Sequence, residues 1–241
     1  GHIVVDSIDA IILVTQTPNY SIPSTSSILH GELGFKESCY CIDINDGCTG
    51  YLRGLFEASS IIRNSDVKKV LLITGDVLSR KVSKHDRNSY PLVGDALTLT
   101  LVEKKQQLYQ SPYELKANGK GAFALNIPAG GMAKPFTVGT SELVEDDEGN
   151  LRSQEHLVMQ GRDVFTFTQT TVIKFIDEFL KANSNVDLSS YFLHQANLFI
   201  LERISKKLKV DSNQLPTDVI TNYGNSSSAT IPMAIVEKYR H

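Results

Sequence analysis

The stretch Ile8–Thr15 (IDAIILVT) is almost wholly apolar and rich in β-branched residues, as a strand covered by protein on both faces requires. A sheet built around such a strand needs layers above and below it, and the neighbouring segments have the periodicity to supply them. Thr17-Pro18-Asn19 turns the chain, and Ser24–Leu33 reads as a short helix. Ser38–Ile44 (SCYCIDI) is a second strand. After Asn45-Asp46-Gly47, residues Tyr51, Leu52, Leu55, Phe56, Ser59 and Ile62 recur at helical spacing. Val70–Thr74 (VLLIT) predicts a third strand, and Leu97, Leu99 and Leu101, alternating with Thr98 and Thr100, a fourth. The expected class is α/β with a largely covered sheet.

Glu103–Lys120 is more polar and marks the expected join between two halves, residues 1–103 and 104–241. Pro128-Ala129-Gly130-Gly131 is a turn, and the acidic run 142–150 (ELVEDDEGN) reads as a solvated loop. Phe165, Thr168, Val172, Phe175, Ile176 and Phe179 form the stripe of a long amphipathic helix. Tyr191-Phe192-Leu193 reads as a short strand ending at His194, followed by a helix marked by Leu198, Leu201, Ile204 and Leu208. Asn222–Ser228 is a turn before a last helix over Ala229–Tyr239.

Composition excludes several classes. Hydrophobic residues at 41% and charged residues at 21% suffice for a buried core and argue against disorder. With 24 Lys+Arg against 27 Asp+Glu, the net charge of −3 gives no concentrated basic face for nucleic acid. No apolar run approaches the roughly 20 residues of a membrane helix. Gly1-His2 reads as a residual tag, no signal peptide follows it, and the expected location is the cytoplasm. The three cysteines, Cys39, Cys41 and Cys48, have no metal-ligand spacing, and the first two read as small buried hydrophobes on one strand.

Three strand ends carry chemistry. Cys48 follows Gly47 at the start of a helix, where unpaired N–H groups favour a thiolate and lower the thiol pKa. A buried structural cysteine is the alternative. His194 is delivered by a strand into a polar loop, where an imidazole accepts or donates a proton or serves only as structure. Asn225, in Tyr223-Gly224-Asn225-Ser226-Ser227-Ser228, has an amide suited to a developing oxyanion, though the same composition also makes an ordinary turn or cap. His30, His85 and His156 read as surface residues.

Taken in order, these segments resemble the β-ketoacyl-[acyl-carrier-protein] synthase III family of the thiolase-like fold. The resemblance runs through Thr17-Pro18, Ile22-Pro23-Ser24, Asp43–Tyr51 (DINDGCTGY), Asp86-Arg87, Gly94-Asp95, His194-Gln195-Ala196-Asn197 and Gly224-Asn225-Ser226-Ser227. It implies two similar halves with mixed sheets and buried helices, the first carrying the nucleophile and the second the histidine and asparagine. It implies a Cys48, His194, Asn225 triad: Cys48 takes the acyl group of an acyl-coenzyme A, and His194 and Asn225 stabilise the enolate formed from a malonyl thioester on acyl carrier protein. No metal or redox cofactor is implied, coenzyme A entering only as a thioester substrate.

By the same resemblance, Arg87 packs on the adenine end of coenzyme A, and Gly161, Phe165, Ala196 and Asn197 line the pantetheine tunnel. Lys206 and Lys207 face the carrier protein, and Ile22 reaches across a homodimer into the partner's acyl pocket. Compared with the family, a leading strand-helix segment and closing strands with a Gly-rich turn are absent, so the expectation is an incomplete synthase. Phe199 stands where an arginine for carrier docking is usual, Thr166 where a lysine is common, and Gly94-Asp95-Ala96-Leu97-Thr98 replaces a small, Gly-rich run. Two other readings stay open. One is acyl transfer to an oxygen or nitrogen acceptor without decarboxylation, and the other a non-enzymatic chain that completes a heterodimer.

Overall fold

All five residues of β1 (Ala10–Val14) are buried, as its apolar run requires of a central strand. The computed structural model describes residues 4–105, 111–211 and 213–240. They divide into two compact units, each assembled from separate stretches of chain.

The first unit comprises Gly1–Val77, Asp95–Gln110 and Ser226–His241. After β1 come α1 (Thr25–Leu33), β2 (Tyr40–Ile44), α2 (Gly50–Asn64), β3 (Lys69–Asp76) and β4 (Ala96–Glu103). The sheet order is β2-β1-β3-β4. β1 runs parallel to both neighbours, with Ile12 opposite Ile42 and Leu72, whereas β4 pairs antiparallel with β3. The two-residue period sends Ile11, Leu13, Leu71 and Ile73 to one face, where they pack with Ile8, Phe35 and Cys39, and with Leu29 of α1 at the margin. Cys39 and Cys41 both join this cluster, as small apolar side chains do.

On the opposite face α2 lies so close that a Cβ on Gly54 would stand 2.5 Å from Leu72 Cδ1, and one on Gly50 2.6 Å from Val14 Cγ1. At the start of α1 two orphan N–H groups, of Thr25 and Ser26, donate to the Asp43 carboxylate at 2.7 and 2.8 Å. The edge strand β4 turns Leu97, Leu99 and Leu101 outward, and its Thr98 hydroxyl meets that of Thr74 at 2.7 Å.

Asp9 ties the entry to β1 into this unit. Its carboxylate accepts from Lys36 Nζ at 2.5 Å and from the Lys68 and Lys69 N–H groups at 2.8 and 3.0 Å. The Lys36 hydrogen bond is the largest cause holding its pKa down at about 2. The folded value lies below the unfolded one, so the stabilisation is complete above about pH 4 and is lost as pH falls toward 2. We therefore expect Asp9→Asn to lower stability by about 1 kcal/mol at pH 7 and by less at pH 3. Thermal unfolding at the two pH values checks this, an equal loss at both contradicting it.

The second unit comprises Leu78–Gly94 and Ser111–Asn225. It holds two short antiparallel ladders: β5 (Leu125–Asn126) with β8 (Val158–Met159), and β6 (Val144–Glu145) with β7 (Leu151–Arg152). α3 (Gly161–Phe167) continues through a π-helical turn, Thr168–Val172, into α4 (Ile173–Ala182), forming the long amphipathic helix expected from the stripe. α5 (Leu198–Leu208) buries Ile200 and Ile204 against Ile173, with Phe165, Ile176, Leu193 and Ala196 around them. α6 (Asp218–Tyr223) follows.

Three expectations are corrected here. The acidic run is not a plain solvated loop: it is the β6–β7 hairpin, whose turn is organised by Asp146. That carboxylate accepts from Glu148 N at 3.0 Å and Asn150 N at 2.8 Å, and pairs with Arg152. These contacts, led by the Asn150 backbone bond, hold its pKa below the usual carboxylate range. Tyr191–Leu193 joins no ladder among the described residues, because Tyr191 N–H donates at 2.7 Å to Gln214 O in an irregular segment. His30 and His156 are half-buried and hydrogen-bonded; His85 alone of the three is exposed.

Candidate active site

In the first unit the chain leaves β2 and must turn sharply to begin α2. Asp46 Oδ1 accepts from Gly47 N at 2.8 Å and from Thr49 Oγ1 at 3.1 Å, while Oδ2 pairs with Arg53 at 2.5 Å. Its negative charge beside the first turn of α2 favours that helix end. Gly47 is required by close approach, since a Cβ there would collide with the Gln16 Oε1 and come within 3.3 Å of Ser227 Oγ. Cys48 follows as an exposed residue, the position a nucleophile needs.

The thiol's electrostatics reverse the sequence expectation of a lowered pKa. Removal of water by the surrounding chain, the largest cause, pushes the Cys48 pKa up to about 11. A backbone N–H contact pulls it down, but the carboxylates Asp46 and Asp76 add to the rise. Desolvation and two negative groups outweigh the partial positive charge of the helix start. Desolvation thus favours the neutral thiol over the thiolate at Cys48. We expect its acylation or alkylation rate to climb about tenfold per pH unit between pH 7 and 9, without a plateau. Stopped-time mass measurements with Cys39→Ala/Cys41→Ala as background check this; a plateau below pH 8 contradicts it.

Asp76 is the residue that the sequence did not single out. Only 4% exposed at the end of β3, it accepts from Thr15 Oγ1 at 3.0 Å, Gln16 N at 2.6 Å and Thr17 Oγ1 at 3.2 Å, and from Ser228 Oγ at 3.4 Å. These bonds hold Gln16 and the Ser226–Ser228 turn, whose side chains stand against Gly47 and Gly50. An acid closing an otherwise apolar strand (VLLITGD) was the available signal.

In the second unit, the His194–Asn197 loop and Asn225 come together. Gln195 is fully buried and its amide donates at 3.1 Å to both Leu193 O and Pro216 O, clamping the loop that carries half-buried His194. Ala196 N donates to His194 O at 3.0 Å, and Asn225 Nδ2 donates to Ala196 O at 3.4 Å. Asn225 is held by its own backbone, its N–H donating to Leu92 O at 2.7 Å and its C=O accepting from Gly94 N at 2.9 Å. Gly224, with φ of +78°, supplies the left-handed turn just before it. Gly94 admits this approach because a Cβ there would collide with Tyr223 O.

The remaining sequence candidates are placed as follows. Asn197 caps α5, its Oδ1 accepting from Ile200 N at 2.8 Å, and Ala196 packs on the α4–α5 cluster. Phe165 packs there too and stacks on Phe199 with ring centroids 5.8 Å apart; the Arg203 guanidinium lies over Phe199 at 5.1 Å. Gly161 opens α3 with no atom within 4 Å of where its Cβ would stand. Arg87 is exposed, its Nη2 donating to Glu148 O at 2.9 Å, and Lys206 and Lys207 are exposed in the last turn of α5. Ile22 is 88% exposed. Among the described residues no group of three or more His, Cys, Asp or Glu side chains is arranged to hold a metal, and no helix is long and apolar enough to cross a membrane.

Residues 42–119 match the 3-oxoacyl-[acyl-carrier-protein (ACP)] synthase III family model, and residues 181–241 match its C-terminal counterpart. The chain is 35% identical over 243 residues to a β-ketoacyl-[acyl-carrier-protein] synthase III of Clostridium tetani, covering 98% of this chain and 70% of that protein. The corresponding protein of Fusobacterium nucleatum is 34% identical, with 96% and 68% covered. Among solved structures, a 3-oxoacyl-(acyl-carrier-protein) synthase III superposes with a TM-score of 0.93 at 31% identity, over 100% of this chain and 72% of that one. The synthase from Burkholderia xenovorans LB400 gives 0.81 at 37%, over 98% and 66%. The chain spans about two thirds of the length of the curated relatives it matches. Fold and likeness define a thiolase-like α/β protein of the acyltransferase class. Within that class, the chain belongs to the 3-oxoacyl-[acyl-carrier-protein] synthase III family.

Proposed function

We propose that the protein condenses an acyl-coenzyme A with a malonyl thioester on acyl carrier protein by way of an acyl-cysteine, as in fatty acid biosynthesis. The Cys48 thiol loses its proton and attacks the thioester carbonyl, and coenzyme A leaves as its thiol. The malonyl thioester then loses carbon dioxide, leaving the electron pair in an enolate whose oxygen accepts hydrogen bonds from His194 and Asn225. The enolate carbon attacks the acyl-cysteine, the Cys48 thiolate leaves and takes up a proton, and a 3-oxoacyl thioester remains on the carrier.

The observation that carries this reading is the exposed Cys48 at a strand-to-helix turn, in a chain of this family. The backbone-held Asn225 beside the His194–Asn197 loop supports the second half of the reaction. Arg87 and the residues Gly161, Phe165, Ala196 and Asn197 are read as contacts to coenzyme A and its pantetheine arm, and Lys206 and Lys207 as contacts to an acidic carrier. The high exposure of Ile22 suits a side chain that reaches a second copy, so the working assembly is a homodimer, in the cytoplasm. The test is malonyl-dependent release of carbon dioxide, one equivalent for each acyl-cysteine consumed; acyl loss without malonyl thioester would overturn the reading.

One observation favours a second reading. The exposed Phe199, stacked on Phe165 and overlaid by Arg203, makes an aromatic platform where a docking arginine is usual. A small-molecule oxygen or nitrogen acceptor would meet such a surface without a carrier protein, and acyl transfer to it would proceed with no carbon dioxide released.

A further inference from the structure

Within the second unit a cavity of about 620 Å³ has Arg80, Lys84, His85, Tyr90 and His156 on its walls and no carboxylate among its lining residues. An adjoining cavity of about 300 Å³ shares Arg80 and His156 and adds Lys81 and Glu155. The Glu155 carboxylate already accepts from Thr140 Oγ1 at 2.7 Å. Among the described residues, Arg80, Lys81 and Lys84 enter no ion pair. Arg80 and Lys84 thus line one concavity that has no carboxylate on its walls, a local positive field that favours an anion.

The walls are built rather than loose. Buried Ser83 donates to Leu151 O at 2.6 Å, and Leu157 N donates to Lys81 O at 2.6 Å, clamping the 79–90 wall to the 151–157 wall. Buried Asp86 accepts from Asn88 N at 2.8 Å, Ser89 Oγ at 2.8 Å and Arg152 Nη1 at 3.1 Å, fixing the loop that carries Lys84 and His85. His156 Nδ1 accepts from Ser153 N at 3.0 Å. In the neutral ring the proton therefore sits on Nε2, which is left as a donor. A guanidinium fork, an ammonium and an imidazole N–H together match the several acceptor oxygens of a phosphate group.

We propose that this cavity binds a small anion carrying a phosphate group, held by Arg80, Lys84 and the Nε2–H of His156. The phosphate belongs either to a free inorganic species or to a larger molecule whose remainder extends along the Tyr90 wall. Calorimetric titration of the 241-residue chain with inorganic phosphate, pyrophosphate and coenzyme A tests this. The comparison is between Arg80→Ala/Lys84→Ala and Lys174→Ala/Lys181→Ala, which removes equal charge from exposed sites on α4. The expected result is saturable binding that the first double substitution weakens at least about tenfold and the second leaves unchanged. Weakening confined to pyrophosphate assigns the site to a free anion, and parallel weakening of coenzyme A assigns it to a substrate phosphate. Either outcome supports the proposal. Binding of none of the three probes, or equal weakening by both double substitutions, overturns it.

Discussion

Cys48→Ala is expected to abolish acyl transfer, by at least about 10⁴-fold in kcat, because neither of the other two cysteines can take the place of its sulfur. Cys39 is buried in the sheet core, where loss of water is the main cause of a pKa near 11, and Cys41 is half-buried beside it. The variant should fold as the native chain does, since it removes a single sulfur atom from a residue that is exposed at the helix start. Continuous thioester cleavage assays, with circular dichroism to confirm the fold, would show this; more than a trace of residual transfer would assign the nucleophile elsewhere.

The second large effect separates the two half-reactions. His194→Ala and Asn225→Ala are expected to keep acylation of Cys48 within a few-fold of the native rate and to slow condensation by about 10²–10³ each, the usual cost of an oxyanion donor. Neither change should unfold the second unit. Asn225 is held by main-chain bonds to Leu92 and Gly94 that survive truncation, and the His194 loop is clamped by Gln195. Single-turnover measurements of acylation and of malonyl-dependent release distinguish the steps. Full condensation by either variant would remove the enolate role assigned to that residue.

Much of this was legible in the sequence because the forces responsible are local. The unbroken apolar run of β1 announces a strand covered on both faces, and Gly47-Cys48 announces a tight strand-to-helix turn. What stayed hidden depends on partners far apart in the chain. Asp76 draws its donors from Thr15, Gln16 and Thr17 on one stretch and Ser228 on another, both distant in sequence, so no window around it shows why a carboxylate is buried there. The acidic run is exposed along most of its length, as a solvated segment is, but its order comes from Arg152, which also reaches Asp86, a partner no charge pattern within the run reveals. The Cys48 pKa failed for a related reason: the helix start is visible in sequence, whereas Asp76 and the crowding around the sulfur are not.

The most direct measurement is intact-protein mass spectrometry after incubation with acetyl- and longer acyl-coenzyme A donors, with Cys48→Ala as control. The account predicts a mass increase of one acyl group on the native chain, absent from the variant, and lost on addition of malonyl-acyl carrier protein. No increase with any donor, or an equal increase on the Cys48→Ala chain, would contradict it.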